Sequence, residues 1–173
     1  PRERAKDVGV RAGQRGPPVD GGGCGKAGAR GWTYEGLKKH LETGGVDGKG
    51  HSAPAGKPDP PNFTFAKDKE VSLGKVKAKA YHFANAHTGG DAIVYFPDVK
   101  VVSLGDEFVA QPPNSDYLNG GSILTWPKAL GEVLTLGFHT PTPGSGPDPL
   151  PRAHLHATQH SSAVLAHSGI AAR

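Results

Sequence analysis

Residues 81–108 read YHFANAHTGGDAIVYFPDVKVVSLGDEF, and the fold turns on how this stretch is parsed. Two short apolar runs, DAIVYF and VKVVSL, are rich in Val and Ile and flank Pro97-Asp98. β-Branched runs bounded by a Pro-Asp pair predict two strands joined as a hairpin. One more strand, the first of the three in chain order, ends just before AHTGGD. His87 then stands after the first strand and Asp106 after the third, and in a sheet of adjacent strands such ends converge. Strand ends hold zinc-ligating side chains at fixed positions. Equally, a His in a turn is commonly just exposed, and an Asp after Gly commonly just makes the turn. Pattern alone leaves both readings open.

Working outward, residues 62–83 alternate. Val76, Ala78, Ala80 and His82 fall on one side, and Lys75, Lys77, Lys79 and Tyr81 on the other. That period of two predicts a strand with Lys on its wet face. Downstream, GGSILTWPKALGEVLTLG predicts a helix. Ile123, Trp126, Leu130, Val133 and Leu134 form its apolar stripe, Ser122 its cap, and Gly137 its end, with Pro127 early enough to be tolerated. FHTPTPGSGPDPLP then predicts a short strand and a loop. Ordered structure is expected to begin near Phe63.

The flanks differ in composition. Residues 1–61 are predicted to be a flexible, Gly/Pro-rich segment, because large apolar side chains are scarce and ordering would gain little burial. Within it, WTYEGLKKHLETGG predicts a short helix over 33–43 with Thr33 as N-cap and Leu37 and Leu41 on one face. Residues 148–173 predict a His/Ala/Ser-rich tail of weak amphipathic character. Gly and Pro (26 and 16) make up close to a quarter of 173 residues, so one domain with loose extensions is the expected organisation.

Charge and cysteine content narrow the function classes. A net charge of +4 is too small and too dispersed to require nucleic acid. Aromatic residues at 7% supply no stacking platform beside the Lys row, so no dedicated nucleic-acid binding is expected. Cys24 has no second Cys to pair with inside the chain. No apolar run approaches the length of a membrane span, and no leader is visible behind Pro1, so a processed or truncated soluble chain is expected, of undetermined compartment. GGGCGKAG lacks the ending of a phosphate loop and a strand before it.

The run YHFANAHTGGDAIVYFPDVKVVSLGDEF, then DYLNGGSILTWPKAL, then PGSGP, resembles the C-terminal half of a metallo-β-lactamase-fold hydrolase. The resemblance covers residues 62–147, and the order of parts carries it more than any single motif. It implies an α/β fold, a partial αββα sandwich, with 62–147 as a half domain. It implies zinc as cofactor, His87 as a ligand of the first metal and Asp106 as the bridge between two. Asp91 is implied as a carboxylate bracing the ligand loop from behind. A metal-bound water, acidified by the ion, would attack a small-molecule substrate.

Three departures accompany the likeness. His-x-His-x-Asp-His, the family's main ligand motif, is missing upstream, where only His40 and His51 occur. The family's PGHG loop reads PGSG, placing Ser145 where a His ligand belongs. The sequence after Pro147 loses the expected helical pattern. HLHATQH offers His154, His156 and His160 as a weak alternative metal set. His154 and His156 share a side if the segment is extended, and His156 and His160 do if it is helical. The reading is therefore a metal-dependent hydrolase relative, incomplete or inactive alone. One variant has a second chain or the His-rich segment supplying the missing ligands. The alternative is a non-enzymatic, self-associating assembly protein, a homo-oligomer built from an exposed half-sandwich in which DAIVYF is the adhesive strand.

Overall fold

A computed structural model describes residues 8–10, 30–36, 38–39, 63–109, 113–144 and 151–168. Cys24 and GGGCGKAG, Leu37, Leu41, His40, His51, the linker at 46–62 and Ser145 lie outside the described residues.

β1 (Val8–Val10), β2 (Arg30–Tyr34) and β3 (Phe63–Phe65) pair in parallel in that order. Two of these strands come from the segment expected to be flexible. Thr33, expected as an N-cap, is a buried residue of β2, and helical backbone begins only at Glu35.

A five-stranded sheet follows. β4 (Asp68–Leu73), β5 (Val76–Tyr81), β6 (Ile93–Phe96) and β7 (Val101–Ser103) run antiparallel, and β8 (Thr140–Thr142) closes the far edge parallel to β7. The hairpin expected around Pro97-Asp98 is β6–β7, with Phe96 opposite Val101. Register puts Ala80 opposite Val94, and Tyr81 opposite Ile93. Strand alternation then sends Ile93 and Val102 to one face and Ala80 to the other. The first face meets α1 (Trp126–Thr135) through Trp126, Ala129, Leu130 and Val133, an i, i+3, i+4, i+7 stripe. The second face packs Ala80 and Ala92 against Phe65 of β3, with Tyr34 of β2 beside them. Both faces are thus covered at β6 and the adjoining parts of β5 and β7, while β4 and the start of β5 stay largely exposed; the mixed α/β fold class expected from the sequence is the one found.

Coverage on both sides corrects two expectations. The Lys-bearing side of β5 is not wholly wet, because Tyr81 packs against the core under α1. DAIVYF is interior rather than adhesive: β6 is paired on both edges, and Ala92, Ile93 and Val94 are buried. A continuous apolar run is what a strand buried on both faces requires.

α1 starts four residues after Ser122. The Ser122 carbonyl accepts from the Trp126 N–H at 3.1 Å, while the Thr125 hydroxyl donates to the Asn85 carbonyl instead of capping the helix. Pro127 sits in the first turn, as expected.

The described part of the last segment is a 16-residue helix, α2 (Arg152–His167), and not a loose tail. Its buried face is Leu155, Thr158 and Ser162. Both hydroxyls satisfy themselves along the helix, Thr158 on the His154 carbonyl and Ser162 on that of Gln159. Arg152 anchors its start. The guanidinium donates to the carbonyls of Leu134 and Phe138, each at 2.7 Å, and lies 4.2 Å over the Phe138 ring. It thereby satisfies a carbonyl that the end of α1 leaves without a partner. Arg152→Ala is expected to cost about 2 kcal/mol, the range for a hydrogen bond to a charged group. Urea unfolding measures this, and a shift under ~0.5 kcal/mol would show that the anchor contributes nothing.

Candidate metal centre

The loop from β5 to β6, residues 82–92, is built around Asp91. This carboxylate accepts from the Thr88 N–H (2.8 Å) and the Thr88 hydroxyl (2.5 Å), closing AHTGGD into a turn. Asp91 is buried, and burial pushes its pKa up, opposed by the Thr88 hydrogen bonds and the nearby His87. Its backbone carbonyl accepts from His82 Nδ1 at 2.7 Å, and the His82 ring stacks on Tyr34 with centroids 3.7 Å apart. The β1–β3 sheet is therefore tied to the loop through one imidazole.

Residues 113–122 clamp the same loop from the other side. Asp116 N–H donates to the His87 carbonyl (2.7 Å), Gly89 N–H to the Asn119 carbonyl (2.8 Å), and Ser122 N–H to the Ala86 carbonyl (2.9 Å). The approach at Gly121 is so close that a Cβ there would run into the His87 carbonyl, with the Ser115 hydroxyl oxygen 2.7 Å away. Only glycine fits at 121.

His87 is oriented by this clamp. Its Nδ1 lies 2.5 Å from the Asn114 carbonyl, which only accepts, so Nδ1 carries the proton. In the neutral ring the lone pair is then on Nε2, which faces Asp106 Oδ2 at 4.0 Å. The ring sits edge-on to Trp126, with centroids 6.3 Å apart. Asp106 belongs to the 3-10 turn Gly105–Glu107 that follows β7. Gly144, just past β8, donates its N–H to the carbonyls of Gly105 (2.8 Å) and Phe108 (3.1 Å). A Cβ on Gly144 would lie 2.6 Å from Asp106 Oδ1, so this backbone also packs directly on the site. His87 and Asp106 are about three-quarters covered yet still reach solvent, at 24% and 20% side-chain exposure.

The structure thus brings His87 and Asp106 together, and Asp91 holds the loop that carries His87. The structure does not bring His154, His156 or His160 in. His154 packs edge-on against Phe108, with centroids 5.5 Å apart, while His156 and His160 are exposed on α2. Among the described residues no three His, Cys, Asp or Glu side chains gather where they could hold a metal ion. Zinc takes four donors, three of them from protein in an open site. An imidazole nitrogen and a carboxylate have the right chemistry for two of those positions, but two donors do not fit a complete centre.

Glu107 is a feature that sequence reasoning missed. It is 1% exposed, and neither carboxyl oxygen has a hydrogen-bond partner. Burial pushes its pKa well above the usual carboxylate range, and the nearby Asp91 charge adds to the rise. Its backbone carbonyl accepts from Trp126 Nε1 at 3.0 Å. Nothing in GDE distinguishes a buried acid from an exposed turn acid.

No protein-family model matches the sequence, and no curated protein does. The fold does find company, and it is that of the metallo-β-lactamases. The metallo-β-lactamase DIM-1, in a crystal exposed to ceftazidime, superposes with a TM-score of 0.69 at 14% identity, covering 90% of this chain and 66% of its own. A metallo-β-lactamase from Pontibacter korlensis gives 0.64 at 19% identity, over 82% of this chain and 61% of its own. TMB-1 gives 0.61 at 14% identity, over 81% and 59%. The chain spans about three-fifths to two-thirds of the length of these proteins. No helix among the described residues is long and apolar enough to cross a membrane.

Proposed function

We propose that this chain is a metallo-β-lactamase-fold, hydrolase-like protein whose zinc centre is incomplete, and that it has no robust hydrolytic activity alone. The observation that carries this reading is the His87–Asp106 pair. The two side chains face each other across 4.0 Å, with Nε2 of His87 presented by the Asn114 carbonyl, and no third donor joins them among the described residues. The sequence contains no His-x-His-x-Asp-His segment, and a Ser hydroxyl at 145 is a poor zinc ligand beside imidazole. If the chain is active, its substrate is a small molecule, and a β-lactam is the first to try, given the enzymes that share the fold.

Chelator-treated protein reloaded with zinc, passed through gel filtration and analysed by mass spectrometry, tests the reading alongside turnover of a chromogenic cephalosporin. The expected result is no tightly held zinc that depends on His87 or Asp106, and turnover no higher than that of the zinc-free protein. Two tightly held zinc ions per chain, lost together with turnover in His87→Ala and Asp106→Ala, would overturn it.

A further inference from the structure

α2 sorts the C-terminal histidines by position. Neighbouring helical residues are about 100° apart around the axis, so His154 and His156 point in nearly opposite directions, whereas His156 and His160, four apart, stand one above the other. The contacts agree. His154 lies against Phe108 on the packed side, and His156 and His160 are both exposed. His167 is a further seven residues on, about 10 Å along the axis, and its Nδ1 already donates to the Ala163 carbonyl at 2.7 Å. It is too far along the helix to share an ion with the other two.

The pair is also well prepared to chelate. α2 contains no Asp, Glu or Lys, and its one Arg, Arg152, is engaged at the start of the helix. No side chain on the helix therefore offers either imidazole an ion-pair partner. Thr158 and Ser162 are buried on the far side of the helix, so the backbone carrying the two rings is held in place before any ion arrives. A preorganised pair loses little freedom on binding. Two imidazole nitrogens, with water filling the remaining positions, suit borderline divalent ions, and copper(II) heads that series.

We infer that His156 and His160 form a two-imidazole site for a borderline divalent transition ion on the outer face of α2, made from residues other than the His87–Asp106 pair. One ion bridges consecutive turns and holds the helix in its folded form.

The test is titration of the full chain with copper(II) chloride, followed by calorimetry and electron paramagnetic resonance. Thermal melting is recorded in parallel. The expected result is a binding component with two-nitrogen coupling that raises the melting temperature. Its affinity falls by about a hundredfold in either His156→Ala or His160→Ala, because the second imidazole binds intramolecularly. His154→Ala and His87→Ala retain it. Wild-type binding and melting shift in the double variant His156→Ala/His160→Ala would overturn the inference. So would absence of the component from the wild-type chain, or its loss in His154→Ala. Loss in His87→Ala alone would assign the ion to the His87–Asp106 pair and overturn the α2 site, leaving the reading of the fold untouched.

Discussion

Trp126→Ala is expected to destabilise the chain by about 3–5 kcal/mol, the cost of emptying a large aromatic from a packed core. Trp126 is 1% exposed and begins the buried stripe of α1. Its effects go beyond volume. The indole N–H is bonded to the Glu107 carbonyl, and the ring supports the edge of His87. Alanine removes the packing and also leaves a buried carbonyl unpaired, which places the loss towards the upper end of that range. With total stabilities of about 5–15 kcal/mol, the variant should be largely unfolded at moderate urea concentrations. Trp126→Phe separates the two contributions. It keeps most of the ring and loses the hydrogen bond, so about 1–2 kcal/mol is expected. Urea unfolding of both variants checks this. A loss below ~1 kcal/mol for alanine would mean that the core does not depend on this residue.

The second large effect comes from Glu107. Its folded pKa lies well above the ordinary value of 4.5 because burial disfavours the charged form. Below the ordinary value both the folded and the unfolded chain hold the proton, so this group's contribution is at its most favourable there. As pH rises further, the unfolded chain releases its proton and the folded chain keeps it. Stability therefore falls with rising pH until the raised folded pKa is passed, by at most about 1.4 kcal/mol per pH unit. Asp91, also raised by burial, acts in the same direction. Glu107→Gln in metal-free protein is expected to flatten the decline, leaving the smaller slope from Asp91. Glu107→Met, which removes the unpartnered oxygens, is expected to be more stable than wild type at pH 8 and to gain least near pH 4.5. Free energies of unfolding between pH 4.5 and 8.5 decide the matter. An unchanged slope in the glutamine variant would show that Glu107 is not buried in its acid form.

What could be read from the sequence had a local physical signature. Alternation marked β5, Pro97-Asp98 marked the β6–β7 turn, and a 3.6-residue stripe marked α1. The order of those parts, with His87 and Asp106 at strand ends, was enough to suggest the fold. What escaped depends on distant partners. β1 and β2 are short parallel strands whose pairing follows from tertiary contact and not from propensity. α2 buries Thr158 and Ser162, whose hydroxyls bond back to their own helix, so no apolar stripe announces a packed face. The absence of a helical pattern after Pro147 was a property of the hydrophobicity signal, not of the backbone. Glu107 was invisible because only the surrounding core makes it unusual.

The indole ring beside His87 also makes the protein its own optical gauge. Only two tryptophans occur in the chain, and Trp32→Phe would leave Trp126 as the sole indole, read apart from the four tyrosines by excitation at the red edge of the absorption band. Its centroid is 6.3 Å from the His87 ring, well within the reach of quenching by an open-shell ion. Emission from that single indole therefore reports arrivals at the imidazole directly, without a label. Ions seated on the outer turn of the last helix, held by other side chains, can be scored separately by comparing the same trace with and without His87.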